Sequence, residues 1–248
     1  VALPLKQFNQ LSLYFSEKAS AALIFKNLIT YAKKENMVVA FLKAAKESCL
    51  EELKLPEDAR IFESKVEGIG QLAAFLCANA QHRYNLYTQY CEEKQWDPET
   101  AIAKQETFSH MRGMFRPILV IFERYSDLVS VTTEVAGYLK QFSSVYVLSR
   151  YAQIYLMAGL YSDEPPFLWG NELYKCFNTE KLALLFGEKL NRQSLVKLPY
   201  DMERLLVKKP ANHFLMSYRG ELHHLLMPCG ELRQEKVKTD DDSIFEDS

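Results

Sequence analysis

Apolar positions along this chain recur mostly at helical spacing. The clearest case is a stripe over 69–94, where Leu72, Leu76, Ala80, Tyr84, Tyr87 and Cys91 step by three or four residues. That rhythm places all six on one face of a helix. Gly68 and Gly70 mark its start. An earlier helix is predicted over 17–34 behind a Ser16 cap, with Ala22, Phe25, Leu28 and Ile29 on its inner face. Asn36 is read as the cap of a further helical run carrying Val39, Leu42 and Leu50 inward, broken by Pro56. Asp97-Pro98-Glu99 reads as an N-cap, a proline at the first helical position and an acid in the first turn. The helix it opens carries Ile102, Phe108, Met111, Phe115 and Phe122, and Pro117 kinks or ends it.

Residues 117–148 leave two readings open. PILVIF and LVSVTTEV are rich in β-branched residues and suit a small hairpin. Val135, Tyr138, Leu139, Phe142 and Tyr146 keep a helical rhythm, which favours helix. Shorter helices are predicted at 179–190, 200–208 and 211–227, beyond a proline-rich linker at 162–171. The expected architecture is all-α: a multi-helix bundle or irregular helical array, with a small β element near 117–135 as the open exception. The expected division is a main helical domain over 1–164, a smaller C-terminal helical lobe over 165–230 and a flexible acidic tail over 231–248.

Composition supports a packed protein: 48% of residues are hydrophobic and 25% charged. Nine glycines and nine prolines are few for an all-β fold, which needs a turn every 8–12 residues or so. The five cysteines (Cys49, Cys77, Cys91, Cys176, Cys229) are scattered without a CxxC pair, so they read as reduced. No run of about 18 apolar residues and no basic-then-apolar leader occurs, so the expectation is a cytoplasmic protein without a transmembrane segment. Charge is uneven. Residues 181–230 carry 8 basic and 4 acidic side chains, whereas 231–248 carry 3 and 7.

Candidate chemistry is thin. Glu221 and His224 are i, i+3, the spacing by which a helix aims two ligands at a metal, but no second half-site completes the set. Neither a G-x-S-x-G elbow nor a glycine-rich phosphate loop is present. Neither a metal nor a cofactor is therefore expected, no catalytic residue is assigned, and enzymatic activity is left open with the balance against it. Arg204, Lys208, Lys209 and Arg219 surround Pro210 and form a candidate anion-binding patch, weighed against a plain solvated face. Tyr84, Tyr87, Tyr90, Tyr155, Tyr161 and Trp169 are candidate interface residues, because such rings pair a large apolar body with a polar tip.

These features together predict a helical protein–protein interaction module, an adaptor, scaffold or regulator, docking its partner on an aromatic-rich helical face. Two alternatives stand beside it: a helical-bundle enzyme or ligand binder centred on Glu221/His224, and phosphoinositide or acidic-membrane binding through 181–230. The expected partner is another protein. Peripheral membrane contact stays open, and nucleic acid is disfavoured because basic and aromatic residues do not alternate.

Overall fold

The computed structural model describes residues 10–15, 18–161, 173, 183–186, 213–218 and 221–226. Its centre is a sheet, not a bundle. The elements run β1 (Gln10–Phe15), α1 (Lys18–Lys34), β2 (Val38–Lys43), a short 3-10 turn (Leu50–Glu52), β3 (Arg60–Glu63) and α2 (Val66–Glu93). There follow α3 (Pro98–Ala101), α4 (Gln105–Met114), β4 (Ile118–Phe122), α5 (Tyr125–Glu134), α6 (Ala136–Ala152) and β5 (Ile154–Tyr161). Three further strands are β6 (Ala183–Phe186), β7 (His213–Tyr218) and β8 (Glu221–Leu226).

The eight strands lie in the order β3-β2-β4-β5-β1-β6-β7-β8. From β3 to β6 every neighbouring pair is parallel, and β7 and β8 extend the sheet antiparallel. The all-α expectation is thereby overturned: this is an α/β protein.

The reason lies in how a parallel sheet is buried. In β4, Leu119 and Ile121 face the layer formed by α1, while Ile118, Val120 and Phe122 face the layer of α2, α5 and α6. β2 divides in the same way, with Val39 and Phe41 on one side and Ala40 and Leu42 on the other. All eight residues of β5 are buried. With both faces covered, a strand shows no alternation of apolar and polar residues. It is then a short apolar run that periodicity cannot tell from a buried helix. The helix expected after Asn36 is thus β2, the PILVIF segment is β4, and the helices expected at 179–190 and 211–227 contain β6, β7 and β8. LVSVTTEV is helical, as α5.

Several local signals hold. The predicted helix over 69–94 is α2, and Leu72, Leu76, Ala80, Tyr87 and Cys91 are buried along it. Asp97 caps α3 by accepting the Thr100 amide at 3.0 Å, although that helix is only four residues long. The helix over 17–34 is α1, whose Phe25 meets Phe41 of β2 edge to face at 6.1 Å. Layers approach closely at two glycines. A Cβ on Gly70 would fall 2.3 Å from the Tyr138 hydroxyl, where α2 crosses α6. A Cβ on Gly159 would fall 2.3 Å from the Glu123 carbonyl oxygen, where β5 passes the end of β4.

The linker at 162–171, the boundary near 165 and the acidic tail at 231–248 lie outside the described residues. Among the described residues no helix is long and apolar enough to cross a membrane.

Candidate functional site at the carboxyl edge of the sheet

In an open parallel sheet, ligands are held outside the carboxyl ends of the strands, where the chain's connections diverge to opposite sides. Here that place is β1, which has β5 on one side and β6 on the other. The next strand after β1 in sequence, β2, is three places away across β5 and β4. Three described segments meet at this edge: the loop after β2, the end of β4 and the end of β5.

The end of β4 carries the most chemistry. Glu123 follows five buried apolar residues and is itself only 1% exposed. Its Oε2 accepts from the Ala44 amide at 2.7 Å and the Ser48 hydroxyl at 2.7 Å, and its Oε1 accepts from the Cys49 amide at 2.5 Å. One turn further on, Asp127 accepts from the Ala45 amide at 2.8 Å. Two carboxylates thus hold the loop 44–49, in which Glu47 takes a left-handed backbone with φ 53°. Burial is the first cause that raises the Asp127 carboxyl above the usual range, and the neighbouring Glu123 adds to it. Burial and Glu123 together also push the Cys49 thiol well above the ordinary cysteine value. Beside them the Arg124 guanidinium lies over the Tyr161 ring at 4.5 Å, tying the end of β4 to the end of β5.

The β1–α1 junction is short. Ser16, the expected cap, and Glu17 separate the two elements and lie outside the described residues, and the first glycine of the chain is Gly68.

No family model matches the chain, and no curated protein sequence matches it. Solved structures do. The pCW3 conjugation coupling protein TcpA, in its monomer form with ATPγS, superposes with a TM-score of 0.65 at 13% identity, over 91% of this chain and 62% of that one. The cytoplasmic domain of EssC gives 0.63 at 13% identity, over 92% of this chain and 41% of that one. EccC of Thermomonospora curvata (ATPases 2 and 3, in complex with a signal sequence peptide) gives 0.53 at 12% identity, over 90% and 39%.

The chain has the fold of these ATPase domains. It spans less than two thirds of each of these three chains, and at such identity the likeness establishes fold alone. A helical adaptor is ruled out by the same finding.

Whether nucleotide fits is a separate question, which the residues answer. A phosphate is usually cradled by successive backbone amides of a glycine-rich loop at a helix N-terminus. In this chain no glycine precedes Gly68, so no glycine-rich loop joins β1 to α1. At the end of β4 the Glu123 carboxylate already accepts three hydrogen bonds, and Asp127 beyond it accepts one. Among the described residues, this edge offers no glycine-rich amide cradle for a nucleotide's phosphates.

Of the residues singled out in the sequence, Tyr161 lies at this edge, beneath Arg124. Tyr87, Tyr90, Tyr155 and Tyr161 are 1–8% exposed, and Tyr84 is half-buried. Tyr84, Tyr87 and Tyr151 pack ring against ring, with centroids 5.1–6.5 Å apart. Tyr87 donates to the Pro98 carbonyl and Tyr90 to Glu106, so both hydroxyls are engaged internally. Trp169, Arg204, Lys208, Lys209 and Arg219 lie outside the described residues. Glu221 and His224 belong to strand β8, so the helical spacing that suggested a metal half-site is absent. Glu123 and Asp127 were not singled out. The signal for them was an apolar run closed abruptly by a carboxylate, with a second acid one helical turn later.

Proposed function

We propose that this chain serves as an ATPase-fold domain of a secretion ATPase of the EssC and EccC kind, and that it does not itself turn over nucleotide. Likeness to such domains over nine tenths of the chain supports the first half. The observation that carries the second is the Glu123 carboxylate, buried and held by three hydrogen bonds from the loop 44–49 at the edge where catalysis would be expected. A domain of this sort contributes its surface and its place in an assembly, so its partners are proteins, including the neighbouring ATPase domains of a longer polypeptide. The EccC structure that holds a signal sequence peptide supports reading cargo peptides as a second class of partner.

The test is direct. Purified chain is titrated with ATPγS and magnesium by calorimetry, and ATP hydrolysis is followed by phosphate release. The expected result is no saturable binding below about 1 mM and no turnover above background. Stoichiometric binding in the micromolar range, or hydrolysis abolished by Glu123→Gln, would overturn the proposal.

A further inference from the structure

At the opposite end of the sheet, where β5 begins, packing leaves a cavity of about 90 Å³ between α2, α4, the end of α6 and the first residues of β5. Tyr87, Phe108 and Tyr151 form aromatic walls, and Thr107, Arg150 and Gln153 also line it. Two atoms there, Thr107 Oγ1 and Gln153 Oε1, have no hydrogen-bond partner among the described residues. Both side chains are deeply buried, at 2% and 6% exposure. Native proteins pair almost all such groups, and an unpaired pair lining one cavity points to something that fills it.

The orientation of Gln153 is settled by its other atom. Its Nε2 donates to the Phe108 carbonyl at 3.1 Å, which leaves Oε1 as the unpaired acceptor of a side chain that lines the cavity. Gln153 also closes α6 in the left-handed region, φ 53°, a position where glycine or asparagine is usual. Gln153 occupies that position, and it lines the cavity. Arg150, one turn back on α6, is exposed and stacks on the Tyr151 ring at 4.5 Å. Its guanidinium brings a positive charge to the cavity's outer wall.

We propose that this cavity binds a short hydroxycarboxylate. The hydroxyl donates to Gln153 Oε1 and accepts from Thr107, the carbon chain lies against Tyr87, Phe108 and Tyr151, and the carboxylate faces Arg150. Size selects the class. A single water needs only about 10–15 Å³, while a cavity that takes benzene measures about 150 Å³, so this one suits a ligand smaller than an aromatic ring. Polarity selects the ends. The inner end offers two neutral hydrogen-bonding atoms, where a full charge would be buried without a counterion. The site lies across the sheet from Glu123 and is independent of the reading given for that edge.

L-lactate is the probe. The full chain is titrated with it while intrinsic fluorescence and melting temperature are recorded, and propionate, which lacks the hydroxyl, is run in parallel. A ligand of about six non-hydrogen atoms is expected to bind with a Kd near 1 mM. Propionate should bind at least about tenfold more weakly, since a site built to pair a hydroxyl discriminates strongly against its loss. Thr107→Val and Arg150→Gln should each weaken lactate binding by a similar factor. Arg150 is exposed, so Arg150→Gln keeps the test valid even if the buried variant folds poorly. No saturable response to lactate in the folded chain would overturn the proposal and leave the cavity to water. Undiminished binding by Arg150→Gln and Thr107→Val, or equal binding of propionate, would overturn it as well.

Discussion

Replacing Glu123 with glutamine separates a structural carboxylate from a catalytic one. The glutamate accepts from two buried backbone amides and one hydroxyl, with Ala44 and Ser48 on one oxygen and Cys49 on the other. Glutamine is nearly the same size but keeps only one acceptor. Whichever way its amide turns, either the Ala44 or the Cys49 N–H then faces an NH2 group. Ala44 and Cys49 are 5% and 0% exposed, so water does not readily replace the lost acceptor. One buried donor left unpaired costs about 1–3 kcal/mol. For a chain of this size each kcal/mol lowers the melting temperature by about 2–4 °C, so the variant should melt about 2–12 °C lower. Glu123→Ala, which strips the acceptor from both amides, should fall further. Calorimetric or circular-dichroism melts read the shift, with phosphate release measured on the same samples. In an active ATPase with a free carboxylate, the same change would leave stability nearly untouched and remove turnover. An unchanged melting temperature in Glu123→Gln would therefore refute the argument that this carboxylate is held by the loop.

Gly159→Ala should destabilise by about 1–3 kcal/mol or more in urea titrations, because its Cβ would fall 2.3 Å from the Glu123 carbonyl oxygen, a backbone atom that cannot swing away. Thr107→Val removes a buried hydroxyl without a partner among the described residues and keeps its shape; stability in the absence of ligand should rise or stay within about 0.5 kcal/mol, and a loss well beyond that would show that the hydroxyl is satisfied. Burial raises the Asp127 carboxyl above the usual carboxylate range, so the unfolded chain releases that proton first, and stability is lost as pH climbs from the ordinary carboxylate value through the folded one. Asp127→Asn should remove this loss, and its advantage over the wild type should grow across that window and then level off in urea melts at stepped pH. Burial keeps the Cys49 thiol protonated, so iodoacetamide at pH 8 should leave it unmodified in the folded chain and alkylate it on unfolding, as read by peptide mass spectrometry.

The sequence by itself determined the local elements whose signals are local. The stripe from Leu72 to Cys91 identifies α2, Asp97-Pro98 marks the start of α3, and the apolar face of 17–34 identifies α1, since each depends on residues three or four apart. The absence of any glycine before Gly68 was equally legible, and it already removed the phosphate loop. Only the tertiary structure decided that VVAFLK, ILVIF and IYLMAGLY are strands. Helices cover both faces of the sheet, so inward and outward residues are equally apolar and the period of two disappears. Fold class depended on those runs, which is why a helical array was expected where an α/β sheet exists. The role of Glu123 was out of reach for a related reason. Its partners Ala44, Ser48 and Cys49 are 74–79 residues away in sequence and act largely through backbone amides, which carry no residue signature. The cavity at Thr107 and Gln153 likewise exists only once α4, α6 and β5 have packed, because an unpaired acceptor is a property of what surrounds an atom and not of the residue that bears it.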